Sequence, residues 1–577
     1  MSKHIHDVFK SKQKDLKQHI PAAILLFVLA IIALFMRLYA TEVIPVAESI
    51  PFAFQLMIGG TALAIFRNEL GYSTLGVFGP VILAFAWLEV GPFWGFILIG
   101  YVFIVTATAR IALSGSDLGT AHRVASLLVI ASIATIVLQI VGQIQGVPPL
   151  TTLLLFPIIL TTWYAERFIQ GTAEDGWAPA SRRLTFTVVG VAVAFVVAGY
   201  EPLVNAVIRT PELWVALVGV NILLGASTNI RLAEYTRFRV LKRALEADNK
   251  TDVLTMRVRN RDYVSRYNPL PLMGLYNKSR MKQFLHGLNI PTPETFLIVE
   301  TESDLEEFRA LLKKRDRFVV KPIDGMGGRD VLVVRGREGD DGEFRTNRGN
   351  LTADEITSHT RKICVGGTAD YGAKTSALVE ALVTPESLLA DRIKSGVPDL
   401  RVITLHGFPI MAMTRLPTDE SKGTANIHTG AVAVAIDISS GKASGGYQQT
   451  QDRYVSQHPD TGASLSFTIP DWQDVLTTAS RAAIASGFGY TGVDIVFDAD
   501  QGPMVLEVNR RPGLGIQNAN MAGLLGRLRF VEAQGVSNQF ISANERVRRA
   551  IEWSTNNWQS DAADAPPDID TKVEVNA

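Results

Sequence analysis

The sequence predicts an all-α helical transmembrane bundle of about eight spans, followed by a soluble α+β domain. Two observations lead to this division. There is no lysine between Lys17 and Lys242, and long apolar runs fill that interval. Beyond it, an amphipathic helix begins at Lys278, and short strand patterns follow in RFVVKP, GVDIVF and MVLEVN. One part of the chain is therefore expected in a bilayer and the other in water.

Apolar segments long enough, or nearly so, to cross a bilayer of about 30 Å occupy the first part. The first segment lacks a clear small-x-small exit, so we interpret it as a retained anchor and not as a cleaved signal peptide. The predicted spans cover residues 20–40, 52–66, 74–90, 92–109, 123–143, 149–166, 184–200 and 212–226.

Basic residues predict the orientation of these spans. The N-terminal tail carries five lysines, and alternate loops carry arginines such as Arg110 and Arg123, whereas the intervening loops are nearly free of basic residues. Positive residues favour the cytoplasmic side. An even number of spans then predicts a multi-pass protein of the cytoplasmic (inner) membrane with both termini in the cytoplasm.

The domain boundaries follow from these patterns and from composition. The formal net charge is zero, so no nucleic-acid partner is predicted, and the single cysteine, Cys364, fits a reducing cytoplasm. The predicted parts are a basic cytoplasmic tail (1–19), the transmembrane domain (20–226), a cytoplasmic helical linker (227–256), the soluble domain (257–540), and a helix with a disordered acidic tail (541–577).

A predicted β-hairpin near the end of the chain gathers oxygen ligands. Glu507 and Asn509 lie two apart on one strand and share a face, and the turn DADQGP folds Asp494 of the preceding strand opposite Glu507. Two carboxylates and an amide oxygen suit Mg²⁺, which takes its remaining ligands from water and nucleotide phosphates. The alternative is an ordinary amphipathic hairpin with acidic residues facing water.

Two lysines and a glycine-rich segment point to a polyphosphate. Lys278 opens an amphipathic helix, Lys321 ends the strand RFVVKP, and GMGG follows at once. Glycines let the backbone approach phosphates closely, and a lysine supplies a mobile point charge. The segment lacks the spacing of a Walker loop and of a dinucleotide-binding fold.

Taken together, these segments resemble the ATP-grasp superfamily. Their sequences look most like its α-L-glutamate-ligase-like branch, also described as sugar-transfer-associated ATP-grasp proteins. The spans resemble a seven-helix module that related proteins join to an inactive transglutaminase-like domain, with loop 41–51 standing where that domain is inserted. The matching motifs, in family order, are NK at 277–278, VVKP at 319–322, GMGG, LVEALV at 378–383, DLRV at 399–402, MAMTR at 411–415 and D-x12-E-x-N.

The resemblance implies roles for individual residues. Lys278 and Lys321 would hold ATP phosphates beneath a lid (about 290–380) that includes Gly325, Gly327 and Gly328. Glu380, Ala381 and Leu382 would line the adenine pocket, and Glu386 would bind the ribose. Asp494, Glu507 and Asn509 would hold one or two Mg²⁺ ions, with Mn²⁺ as an alternative. Arg401, Arg415 and Arg511 would face the reacting carboxylate, with Asn426 and His428 near the triphosphate and acceptor.

The implied activity is ATP-dependent carbon–nitrogen ligation. A carboxylate would become an acyl phosphate and then react with an amine, for example an amino acid joined to a peptide or envelope polymer. Membrane lipid and membrane proteins are the other expected partners. Only residues 227–277 separate the last span from Lys278, so the usual N-terminal domain is shortened or missing, which weakens glutamate as the expected substrate. The alternatives are a nucleotide-binding regulatory module and, ranked last, an ATP-driven transporter.

Overall fold

The structure is a computed structural model that divides into two compact units after Tyr235. The predicted linker and the acidic tail beyond residue 557 lie largely outside the described residues. Those residues are 27–76, 78–113, 120–151, 155–175, 177–227, 234, 252–269, 278–323, 330–338, 343–364, 376–535 and 541–557.

The first unit is helical throughout its described residues, apart from short connections. Proline in the first turn begins several of its helices, where a missing backbone N–H costs nothing. The helices are α1 (Phe27–Leu38), α2 (Ala40–Glu48), α3 (Pro51–Asn68), α4 (Gly79–Val90), α5 (Pro92–Ala112), α6 (Thr120–Gln145), α7 (Leu155–Asp175), α8 (Trp177–Ala198), α9 (Glu201–Arg209) and α10 (Pro211–Ser227).

These helices overlap all eight predicted spans, but fewer of them meet the length and hydropathy expected of a span. Three are long and apolar enough, namely α5, the His122–Gln145 part of α6 and the Ala180–Ala198 part of α8. The count rises to five if the bent pairs α1–α2 and α9–α10 each form one span. The number eight therefore stays a prediction. Most of the predicted loop 41–51 is helical, since α2 begins at Ala40 and ends at Glu48.

A buried ionic cluster joins three helices of this unit. The carboxylate of Glu166 on α7 accepts hydrogen bonds from Arg110 Nε on α5, at 2.6 Å, and from Arg123 Nη2 on α6, at 3.0 Å. All three residues are buried. The sequence patterns placed both arginines in one cytoplasmic loop, whereas the structure places each within a helix. Their common partner is a glutamate at the end of a predicted span.

The described residues of the second unit form two antiparallel sheets. The first sheet has the strand order β1-β6-β2-β3-β4-β5. Its strands are β1 (Thr295–Val299), β2 (Phe318–Pro322), β3 (Leu332–Glu338), β4 (Glu343–Thr346), β5 (Gly349–Leu351) and β6 (Ala377–Glu380). Helix α11 (Lys278–Gly287) precedes this sheet in the chain, and its Leu285 packs in a hydrophobic cluster of the larger sheet. The helices that pack on the first sheet are α12 (Asp304–Lys314) and α13 (Ala353–Cys364).

The larger sheet has the order β11-β10-β9-β8-β7-β13-β14, and β12 pairs with β10. Its strands are β7 (Asp399–Leu405), β8 (Phe408–Leu416), β9 (Val432–Ile436), β10 (Lys442–Gln448), β11 (Arg453–Val455), β12 (Phe467–Thr468), β13 (Tyr490–Asp498) and β14 (Gly502–Asn509). The accompanying helices are α14 (Ser387–Ala390), α15 (Trp472–Ala485), α16 (Ile516–Ala519), α17 (Leu524–Ala533) and α18 (Ala543–Asn557).

Hydrophobic clusters cover both faces of the larger sheet. One cluster includes Leu476 of α15, and the other includes Leu528 of α17. Every residue of β7 and of β13 is consequently buried. Burial on both faces means that any charged side chain on these strands needs a partner.

The C-terminal helix α18 is part of this core. The ring of Trp553 stacks on Phe408 of β8, with 5.2 Å between centroids, and Val547 is fully buried against the sheet. The folded unit therefore extends through Asn557, although the sequence patterns grouped this helix with the tail.

Candidate functional site

Strand register places a row of charged residues across four adjacent strands of the larger sheet, β8, β7, β13 and β14. Asp399 on β7 lies opposite Arg415 on β8, and Arg401 on β7 lies opposite Asp494 on β13. Asp494 in turn lies opposite Glu507 on β14. The predicted hairpin and the opposition of Asp494 to Glu507 are confirmed, although the turn pairs Asp498 with Gly502 and a β-bulge between Asp494 and Ile495 then shifts the register by one residue.

Four of these side chains form a buried ionic network. Arg401 donates from Nε and Nη2 to the two oxygens of Asp494, at 2.7 and 2.6 Å. Arg415 donates from Nε to Asp399 at 2.6 Å and from Nη2 to Asp494 at 3.0 Å, and Nη2 also contacts Asp399. No side chain of the four is more than 11% exposed. The network therefore fixes both guanidinium groups in the buried interior of the domain, on adjacent strands β7 and β8.

For both Asp399 and Asp494, burial raises the pKa and the neighbouring arginines lower it. Burial raises the pKa of Asp399 to about 6, against the lowering effect of Arg415. Burial also disfavours the charged form of Asp494, but Arg401 and Arg415 together keep the pKa of Asp494 below its ordinary value. At neutral pH both groups are therefore carboxylates, and Asp399 is the one that protonates first on acidification.

We expect Asp399→Asn to remove a pH dependence of stability. A carboxyl group with its pKa raised from 3.8 to about 6 stabilises the folded state below the unfolded value, and this contribution is lost as pH rises through about 6. Hydrogen exchange of β7 amides, corrected for intrinsic rates, should show protection that decreases between about pH 4 and pH 6 in the wild type. An equal decrease in Asp399→Asn would contradict the assignment to Asp399.

The three predicted metal ligands differ in their burial and in the hydrogen bonds that they accept. Glu507 and Asn509 are half-buried and share a face of β14. The Asn509 side-chain oxygen accepts the backbone N–H of Arg511 at 3.1 Å, which leaves that oxygen a second lone pair. Both oxygens of Asp494 already accept guanidinium hydrogen bonds. The two carboxylates and the amide oxygen are donors that suit Mg²⁺, and Asp494 could offer only the lone pairs that its two guanidinium partners leave.

Within the described residues no group of three or more histidine, cysteine or acidic side chains is arranged to hold a metal ion. The predicted site would not form such a group, because Asn509, one of its three members, is an amide. Mg²⁺ commonly binds through one or two carboxylates and takes its other ligands from water and substrate phosphates.

A second ionic cluster surrounds Glu380 at the end of β6. Its carboxylate is 4% exposed and pairs with Lys282 of α11 through one oxygen and with Lys321 of β2 through the other. Burial, followed by the like charge of Lys321, lowers the pKa of Lys282 to about 8, although Glu380 and Glu507 oppose this effect. Burial disfavours a charged Glu380, yet the two lysines hold the pKa of Glu380 below its ordinary value.

The structure describes only some of the other residues that were predicted to bind the nucleotide. Lys278 begins α11, but its side chain and Gly325, Gly327 and Gly328 lie outside the described residues. The backbone N–H of Ala381 donates to Glu294 at 2.8 Å, so that amide is already used. Leu382 is half-buried. Glu386 is the N-cap residue of α14, and its own N–H donates to Phe497 at 3.0 Å.

The predicted acceptor loop connects the end of β8 to the beginning of β9. Asn426 accepts the backbone N–H of His428 through its side-chain oxygen at 3.0 Å and so begins a short 3-10 turn. The His428 ring Nδ1 lies 3.1 Å from Gln449 Nε2. Arg415, near the end of β8, pairs with Ala433 of β9, so this loop and Arg415 share one end of the sheet. Arg511 is exposed and its side chain does not enter the buried network.

Sequence reasoning missed three residues of these clusters: Lys282, Asp399 and Gln449. Lys282 lies four residues after Lys278 on one helix and therefore on the same face, which was an available signal. Asp399 precedes Arg401 by two residues and shares its strand face. Gln449 carried no comparable signal, because its contact with His428 depends on the tertiary fold.

Comparison with known families covers both units. Residues 258–533 match the family model described as sugar-transfer associated ATP-grasp. Residues 21–242 match the model described as seven transmembrane helices usually fused to an inactive transglutaminase. The chain therefore combines an ATP-grasp-like, sheet-rich domain with an N-terminal membrane module. A search of curated proteins returned no match.

Solved structures with some similarity are ATP-grasp ligases. The ligase PsnB, complexed with a phosphomimetic variant of its minimal precursor, Mg and ADP, is 19% identical over 47% of this chain and 62% of its own, with a TM-score of 0.27. D-cycloserine synthetase DcsG is 16% identical over 53% and 80%, with a TM-score of 0.27. D-alanine–D-alanine ligase from Bacillus anthracis, complexed with ATP, is 16% identical over 48% and 65%, with a TM-score of 0.25.

Proposed function

We propose that this chain, whose residues 258–533 match the sugar-transfer associated ATP-grasp family, is a membrane-anchored, ATP-dependent carboxylate–amine ligase. The single observation that carries the proposal is the convergence of Arg401, Arg415, Asp494 and Glu507 on neighbouring strands. This row combines groups that stabilise a carboxylate with groups that hold a metal. We assign the chain to the inner membrane with both termini in the cytoplasm, where ATP is available.

The nucleotide half of the reaction uses the first sheet. We assign Lys321 to the phosphates of ATP, together with Lys278 and the glycines at 325, 327 and 328. The side chain of Lys321 is 24% exposed and is the more accessible of the two lysines beside Glu380. A lysine contacts phosphate as a mobile point charge. Magnesium, when bound, offsets the charge that develops between the β and γ phosphates.

Activation of the carboxylate follows. A carboxylate is a poor electrophile, so one of its oxygens attacks the γ-phosphorus of ATP, ADP leaves, and a mixed acyl phosphate forms. We assign Arg401 and Arg415 to hold the carboxylate. Each guanidinium group has N–H donors that the bonds to Asp399 and Asp494 do not use.

Bond formation completes the reaction. The amine nitrogen attacks the acyl carbon, and the resulting oxyanion is stabilised by the same arginines. The carbon–oxygen bond then breaks, phosphate leaves with that electron pair, and the nitrogen loses a proton. We assign His428 to accept this proton, because its loop lies at the same end of the sheet as Arg415. An amino acid joined to a peptide or envelope polymer is the substrate class that the resemblance favours.

The test is ADP release by the full-length protein in nanodiscs with magnesium-ATP, with and without pooled amino acids and envelope extracts. We expect one pool to stimulate release and Lys321→Ala to reduce the stimulated rate by about 100-fold, because the lost charge acts on the transferring phosphate. Lys314→Ala, which changes an exposed lysine on α12, is the matched control. Nucleotide binding without stimulation by any pool would instead favour the regulatory module.

A further inference from the structure

The carboxylate of Glu380 is the centre of an unusual arrangement for a buried group. On the first sheet Glu380 lies opposite both Thr295 of β1 and Val319 of β2, so its strand is flanked on both sides. The carboxylate is 4% exposed and contacts two ammonium groups, one on each oxygen. A buried carboxylate is costly unless a cation pairs with it. One lysine would satisfy that requirement, and the structure supplies two.

The two lysines differ in exposure and in attachment. Lys282 is 7% exposed and reaches Glu380 from helix α11. Lys321 is 24% exposed and comes from the adjacent strand β2, two residues beyond the position paired with Glu380. The carboxylate of Glu507 also lies within electrostatic range of Lys282. Lys282 is therefore the enclosed partner of Glu380, and Lys321 is the partner open toward solvent.

We propose that Lys282 is a positioning residue that neutralises Glu380 while Lys321 leaves to bind the phosphates of ATP. This inference rests on the proposed function, in which Lys321 contacts the nucleotide. Without Lys282, any movement of Lys321 would leave a buried carboxylate unpaired, so Glu380 would retain Lys321 and compete with ATP. With Lys282 present, Glu380 keeps one cation throughout. Lys282 thus acts on the nucleotide through two other side chains and need not contact it.

A purely structural role makes a different prediction. If Lys282 only fastened α11 to β6, its loss would disturb the site whether or not Glu380 were charged. In our proposal the damage comes from Glu380 holding Lys321 too tightly. Removing the charge of Glu380 should then restore binding in a chain that lacks Lys282.

The experiment measures magnesium-ATP affinity by displacement of a fluorescent ATP analogue from the full-length protein in nanodiscs. We expect Lys282→Met to weaken binding of magnesium-ATP by about 30-fold, which is typical of removing one partner from a buried ion pair. Lys282→Arg keeps a cation beside Glu380 and should stay within about threefold of wild type. Lys313→Met, on the exposed face of α12, is the matched control.

The double variant Lys282→Met/Glu380→Gln decides between the two roles, with Glu380→Gln alone closing the cycle. Recovery of at least about tenfold over Lys282→Met supports the proposal. A double variant no tighter than Lys282→Met, or wild-type affinity in Lys282→Met, overturns it while leaving the proposed ligase standing. Absence of nucleotide binding by the wild type would overturn the ligase and this inference together.

Discussion

Replacing Arg415 with methionine should lower the free energy of unfolding of the larger sheet by about 3–5 kcal/mol at pH 8, the range observed when one partner of a buried ion pair is removed. Arg415 is the principal partner of Asp399, and it also bonds Asp494. Without it, Asp399 remains 5% exposed and negatively charged on a strand covered on both faces. Asp494 keeps Arg401, so the damage should be concentrated at β7 and β8.

Hydrogen exchange of β7 and β8 amides in the full-length protein measures this change, because it reports the second unit separately from the membrane unit. Arg345→Met is the control, since Arg345 is an exposed residue on β4 and its replacement should cost less than about 0.5 kcal/mol. The loss in Arg415→Met should shrink at pH 5, where Asp399 can protonate. Equal protection in wild type and Arg415→Met would show that the network contributes little to stability.

The second large effect concerns turnover. Glu507→Gln should reduce the rate of ADP formation by about 10²–10³-fold, the loss typical of removing one electrostatic group that acts in the transition state. The glutamine keeps the volume and hydrogen-bonding oxygen of the side chain but removes the charge that would hold magnesium. Binding of ATP should change by less than about tenfold, because Lys321 and the rest of the pocket remain.

Asp500→Asn provides a matched change from carboxylate to amide in the same hairpin, at an exposed turn position. Its rate should equal that of the wild type. The rate and nucleotide affinity are measured in parallel on one nanodisc preparation. A Glu507→Gln rate within a few-fold of wild type would remove Glu507 from the proposed metal site.

Local patterns predicted those parts of the site that depend on short stretches of chain. The turn of this hairpin brings Asp494 near Glu507, so their opposition could be approximated from the turn chemistry and strand alternation, although a β-bulge between Asp494 and Ile495 sets the final register. The pairing of Arg401 with Asp494 could not be predicted in this way, because the two residues lie 93 positions apart in the chain. Its register is set by apolar packing on both faces of the sheet.

The same distinction between local patterns and tertiary contacts applies to what could be predicted of the membrane unit. Hydropathy located helices at all eight predicted spans, since apolar runs reflect local composition. It gave no indication that Glu166 pairs with Arg110 and Arg123, because that contact depends on how three helices pack. For the same reason, the double pairing of Glu380 with Lys282 and Lys321 was visible only in the structure.

The buried cluster of Arg110, Arg123 and Glu166 also has a mechanical consequence. If α7 slid along its axis by one helical turn, about 5.4 Å, Glu166 would move out of reach of both guanidinium groups. Three charged side chains would then remain unpaired in an apolar interior. Piston-like displacement of α5, α6 or α7 is therefore strongly opposed, and these helices resist shear as a single block.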